Sequence, residues 1–167
     1  MFTDKYKYLG LIFSEYLDYE VMAKAVAVSA NRALGLLIAK FKACVGMPFD
    51  VYTKLYDALV MLIVDYGTAI WGCREFTCIN SIRNKAFRFF LGVGRYTPNR
   101  SAVQGDIGWK LMYHKIWLNV FNFWLKVKEI SDDRITKKVH VWSLNEYARG
   151  NRKNWFHNLN VICGKIE

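Results

Sequence analysis

The spacing of apolar residues changes period along the chain. Lys5 and Lys7 alternate with Tyr6 and Tyr8, and Leu9-Gly10-Leu11-Ile12-Phe13 continues as an apolar run. This predicts a β-strand over the first thirteen residues. From about Asp18 to Lys42, Val21, Ala25, Val28, Leu34, Leu37 and Phe41 recur at three- and four-residue intervals. That is the period of a helix with one buried stripe. Gly46 and Pro48 interrupt it, and Pro48 suits the first turn of the next helix. The next helix carries Tyr52, Leu55, Tyr56, Leu59, Leu62 and Ile63 towards Trp71. It is apolar almost all round, which predicts the central helix of a bundle.

A third helix, from about Cys78 to Leu91, sets Ile79, Ile82, Ala86, Phe89 and Phe90 on one side, and Gly92 falls at its C-terminal cap. Gly92 to Arg100 reads as a loop, after which Ser101 caps a short turn ending near Gly105. A long helix over about Lys110 to Ile130 carries Tyr113, Ile116, Trp117, Val120, Phe123, Trp124 and Val127. Asp132-Asp133 starts another, to about Arg149, with Ile135, Val139 and Trp142 facing inward and Gly150 ending it. A short last helix holds Trp155, Leu159 and Ile162. The expected fold is therefore mainly α, a bundle of about six helices with one short N-terminal β-strand. A lone strand needs a sheet to pair with, and no second one is predicted.

Composition adds a charge asymmetry. The 167 residues are 53% apolar and carry a net charge of +10, enough apolar material for one core. Residues 1–73 hold seven basic and seven acidic side chains, whereas residues 74–167 hold 17 basic and seven acidic. A surplus confined to one half suggests a polyanionic partner, with nucleic acid ahead of anionic membrane. A solvated basic face is the alternative, and charge alone does not separate the two. The start lacks a signal peptide's apolar core, and the run Ala58 to Val64 is too short for a membrane span. Cys44, Cys73, Cys78 and Cys163 form no close-set framework and read as reduced thiols. The expected setting is intracellular, nuclear or cytoplasmic, with no secretion and no transmembrane segment.

Enzyme constellations are scarce. Asp132-Asp133 is the one paired carboxylate, and at a helix start it reads as a cap favoured by the dipole. Structural zinc takes four ligands in two tight pairs, and Cys73 and Cys78 have no second pair among His114, His140, His157 and Cys163. Gly92-Val93-Gly94 follows a helix, the wrong context for a nucleotide fingerprint. Basic residues are more informative. Arg83, Lys85 and Arg88 lie off the expected apolar stripe, and Arg95 and Arg100 continue into the loop. Arg134, Lys137 and Lys138 form a second cluster, and Arg149, Arg152 and Lys153 a third. Guanidinium forks and ammoniums on helix faces suit phosphates, and Tyr96 and Trp109 could stack on bases or belong to the core.

An ordered series of words runs through the chain. Lys7-Tyr8-Leu9-Gly10 leads to Ala30-Asn31-Arg32-Ala33-Leu34-Gly35-Leu36, then Leu55-Tyr56-Asp57-Ala58-Leu59-Val60, Asp65-Tyr66-Gly67 and Ile70-Trp71-Gly72. Asn84-Lys85-Ala86-Phe87-Arg88-Phe89-Phe90-Leu91-Gly92-Val93 follows, then Thr97-Pro98-Asn99, Gly105-Asp106-Ile107-Gly108-Trp109 and Asp133-Arg134-Ile135-Thr136-Lys137-Lys138-Val139. The series resembles the end of the palm, the thumb and the segment beyond it in reverse transcriptases of non-long-terminal-repeat (LINE-type, jockey-like) retrotransposons.

The resemblance implies a fragment with no polymerase activity of its own. The family's catalytic carboxylates hold two magnesium ions in the palm, upstream of the Tyr-Leu-Gly strand, and Asp132-Asp133 lies too far downstream to stand in for them. No cofactor is expected of this piece, although the parent enzyme would use Mg2+. Residues 1–13 then correspond to the end-of-palm strand left over from a missing palm sheet, 14–100 to a thumb-like helical region, and 101–167 to a basic post-thumb region. Tyr8, Leu9 and Gly10 map to the primer-contacting strand. Arg83, Lys85, Arg88, Arg95, Arg100, Lys137 and Lys138 are the candidate nucleic-acid contacts. The implied partners are template–primer RNA and DNA, with the missing palm or another protein as a further one and no membrane. The alternative is a helical protein–protein interaction module, or a non-functional open reading frame derived from the element.

Overall fold

The computed structural model describes residues 4–14, 18–44, 46–94, 112–152 and 154–164. The elements in chain order are β1 (Lys5–Tyr8), β2 (Leu11–Ser14), α1 (Tyr19–Ala43), α2 (Phe49–Tyr56), a π-helical turn (Asp57–Met61), α3 (Leu62–Asp65), α4 (Thr68–Trp71), α5 (Thr77–Leu91), α6 (Met112–Glu129), α7 (Ile135–Ala148) and α8 (Trp155–Cys163). The fold is mainly helical. It divides into two compact units: Met1–Tyr66 with Glu75–Met112, and Gly67–Arg74 with Tyr113–Glu167. The sequence reading places its divisions after residues 13 and 100. Pattern along the chain does not reveal that the short α4 segment groups with the C-terminal helices.

In the first unit the predicted single strand is a hairpin. β1 pairs antiparallel with β2, Tyr6 opposite Phe13 and Tyr8 opposite Leu11. Leu9 and Gly10 form the two-residue turn, with φ of 46° and 86°. Positive φ at both central residues is the turn geometry that matches strand twist. Gly10 adopts it without strain, whereas Leu9 pays for its Cβ. The apolar run conceals the turn because a leucine occupies a position usually held by Asn, Asp or Gly.

α1 is the spine of this unit. Asp18 caps it by accepting from the Glu20 backbone N–H at 3.0 Å. By length and composition it could cross a membrane, yet Met22, Ala23, Val26, Ala27, Ala30, Leu34 and Leu37 are buried within the structure. The inward stripe is thus shifted from the expected one, and Val28 is exposed. α1 packs along α5, the hairpin, and the α2–π–α3 segment. In that segment Tyr52, Tyr56, Val60 and Val64 are all buried. A strict spacing of four drifts about 40° per step round an α-helix. The wider π turn absorbs part of the drift and keeps all four inward. Leu59 and Leu62 are exposed as a result, so the segment is not buried all round. α5 ends as expected at Gly92 in the left-handed region, with the Val93 N–H donating to the Arg88 carbonyl at 3.0 Å.

In the second unit the Trp155 Nε1–H donates to the Ala69 carbonyl at 3.0 Å, and the Asn119 amide to Thr68 Oγ1 at 3.1 Å. Asn154 caps α8 by accepting from the His157 N–H at 2.7 Å. Ile116, Trp117, Val120 and Val127 of α6 are buried, as the periodicity predicts. α7 is turned the other way from expectation. His140 and Ser143 are its buried residues, while Ile135, Val139 and Trp142 are 78%, 56% and 59% exposed. Asp132-Asp133 does not cap α7, because Arg134 is the N-cap residue and no side chain bonds there.

The hairpin turn yields two substitutions of opposite sign. Leu9→Asn suits left-handed φ and should raise the unfolding midpoint, whereas Gly10→Ala should lower stability by about 1–2 kcal/mol. A Cβ at Gly10 would also lie 3.3 Å from the Tyr66 ring. Chemical denaturation of both variants measures the difference.

Candidate nucleic-acid interface

On α5 the inward row is Ile79–Arg83–Phe87, one residue every four. Arg83 is therefore in the interior, 4% exposed, and not on the outer face as predicted. Burial lowers its pKa, an effect opposed by the nearby Tyr56. Burial likewise pushes the Tyr56 phenol up. The signal for this placement was present in the sequence, because Phe87 four residues on continues the row. Lys85 is exposed and Arg88 half-buried, and among the described residues neither takes part in an ion pair.

Phe41 meets Phe89 edge-on at 5.3 Å, and Lys42 Nζ lies 5.9 Å from the Phe89 ring centre. The C-terminal ends of α1 and α5 are thereby side by side. Lys40 and Lys42 lie in the last turn of α1, and Arg88 in that of α5. Cations there offset the negative ends of two helix dipoles. The sequence reading missed Lys40 and Lys42, whose proximity to α5 depends on helix packing. The aromatics beneath belong to the core: Tyr52 stacks on Phe90 at 4.9 Å and donates its hydroxyl to the Ala86 carbonyl at 3.0 Å. Burial pushes the Tyr52 phenol up to about 12.

In the hairpin, Tyr8 and Leu9 are exposed, and Tyr6 and Tyr8 stack at 6.5 Å on one face. Leu9 and Gly10 form the turn rather than part of a strand. Tyr66 Oη donates to the Leu9 carbonyl and fixes the turn against the end of α3.

The second unit carries its cations where α6 gives way to α7. Lys137 Nζ donates to the Lys128 carbonyl at 2.6 Å, so this ammonium caps α6. Lys128 Nζ lies 3.9 Å from the Trp124 ring centre. Lys138 is exposed and, among the described residues, in no ion pair. In the third cluster Arg149 pairs with Glu146 at 3.0 Å and Arg152 covers the Tyr147 ring at 4.6 Å. Arg95, Arg100, Tyr96, Trp109 and Lys153 lie outside the described residues.

Among the described residues no three His, Cys, Asp or Glu side chains converge. Asp132 and Asp133 are exposed in a turn. Cys73 is buried, which pushes its thiol up to about 12. A thiol so shifted is a poor nucleophile at neutral pH. No family model, curated protein or solved structure matches the chain.

Arg83→Gln should cost roughly 1–3 kcal/mol of stability, the usual scale for disturbing a buried side chain in a core row, read by urea denaturation. His140 supplies a pH dependence. Burial, then the charges of Lys137 and Lys128, hold its pKa below the ordinary imidazole value. The unfolded chain takes up that proton before the folded one does. Stability is therefore complete above about pH 6.5 and declines as pH falls below it. Denaturation midpoints at about pH 7.5 and about pH 5 should differ less in His140→Gln than in the parent.

Proposed function

We propose that the chain is a thumb-like, nucleic-acid-binding piece of a non-long-terminal-repeat retrotransposon reverse transcriptase. It grips the template–primer duplex and the element's RNA inside the cell. The supporting observation is the set of cations with no internal counter-charge. Lys85, Arg88 and Lys138 take part in no ion pair among the described residues, and residues 74–167 hold the whole surplus of +10. Phosphates would meet that charge, and the helical order after Tyr8-Leu9-Gly10 is compatible with a thumb. A second reading, a protein–protein interaction module, is favoured by one feature: Ile135, Val139 and Trp142 form an exposed apolar stripe along α7.

Fluorescence anisotropy with duplex and single-stranded RNA and DNA tests the first reading. Log affinity for duplex DNA should fall with log salt at about −0.9 per phosphate contact. Lys85→Gln and Lys138→Gln should each reduce the slope by about one contact, and Arg83→Gln should leave it unchanged. No binding at low salt, or a flat salt response, overturns this reading. Self-association by light scattering, abolished in Val139→Glu, would then favour the second.

A further inference from the structure

A groove of about 490 Å3 opens on the first unit. Its walls are the hairpin, α1 and the segment from the π turn into α3, and its lining includes Lys7, Ile12, Val26, Leu59, Leu62 and Tyr66. Two linked features set it apart from a chance furrow. The floor is apolar and displays Leu59 and Leu62, the latter 67% exposed, where a helix normally turns polar residues outward. The second is the π turn itself, a rare and locally costly form that recurs at functional sites and lies against the groove at Ala58 and Leu59.

The polar groups define the ligand. Ser29 Oγ donates to the Ala25 carbonyl at 3.3 Å, and Tyr66 Oη donates to the Leu9 carbonyl. Both hydroxyl protons are committed to backbone. Lys7 is the one charged residue among the described lining residues, and its ammonium takes part in no ion pair among them. One cation beside an apolar trough complements one negative charge carried on an apolar body. A polyphosphate or nucleic-acid backbone would need several donors and gain nothing from the leucines. A neutral apolar molecule would leave Lys7 unused. The volume is that of a site for a small organic molecule.

We propose that this groove binds a small amphipathic carboxylate, its apolar tail against Leu59, Leu62, Ile12 and Val26 and its carboxylate on Lys7. The site is independent of the phosphate contacts proposed above, since none of those cations lines it.

Isothermal titration of the full chain with decanoate, below its micellar concentration, tests the assignment. Decanol serves as the neutral counterpart and acetate as the tail-less one. Decanoate should bind saturably at one site per chain, and acetate should not bind. Lys7→Gln should weaken decanoate at least tenfold and leave decanol unchanged. Ala58→Phe, at an exposed position lining the groove, should abolish binding by filling the trough. Circular dichroism checks that both variants stay folded. Absence of saturable binding overturns the proposal, as does unchanged decanoate affinity in either folded variant. Decanol binding as tightly as decanoate, or a stoichiometry well above one, also overturns it.

Discussion

The close packing of α1 within the first unit is the constraint on which the rest of that unit depends. Ala23, Ala27 and Ala30 are almost wholly buried, followed by Leu34 and Leu37 further along the same stripe. Small side chains let a neighbouring element approach closely, and the larger ones fill the core beside them. α5 runs beside α1, so the cations at its end come to lie beside those of α1. The hairpin is held by the same helix, the Ile12 N–H reaching Met22 Sδ at 3.2 Å. A two-stranded hairpin is marginal by itself, and here α1 and Tyr66 supply its support.

From that arrangement two kinds of surface follow. One is basic, where Lys85 and Arg88 project from α5 and Lys40 and Lys42 from the end of α1. The other is apolar and concave, between the hairpin, α1 and the π turn. They suit different chemistries, since phosphate recognition rewards several separated cations and an amphipathic anion needs one cation beside a dry trough. In the second unit the positive charge around His140 has an internal use as well. Lys137 closes the carboxyl end of α6 and, with Lys128, disfavours a proton on the imidazole.

Much of the local structure was legible in the sequence. Most described helices appear where three- and four-residue spacing predicts them, although the helix expected to run towards Trp71 breaks at Tyr66-Gly67, and Gly92 and Gly150 stand at helix ends in positive φ. What periodicity misjudges is the direction that α1 and α7 face. α7 is apolar on two sides, so its pattern could not say whether Ile135-Val139-Trp142 or the row through His140 would be buried. Arg83 was misplaced for a related reason. Charge by type argues for the outer face, although the row neighbours Ile79 and Phe87 both turn in. Of the candidate contacts, Lys85 and Lys138 are exposed, Arg88 and Lys137 are half-buried, and Lys137 has its ammonium engaged on backbone.

The sequence by itself determined most helix ends, because caps, glycines and apolar spacing act over a few residues of backbone. It also determined the total charge and its concentration beyond residue 73. The tertiary structure alone decided that the first strand folds back at Leu9-Gly10, that Leu59 and Leu62 face outward, and that the ends of α1 and α5 lie together. Those outcomes depend on partners distant along the chain, such as Tyr66 for the turn and Phe89 for Lys42. Such partners carry no periodic signature, since a contact between remote segments is chosen by packing complementarity rather than by local propensity.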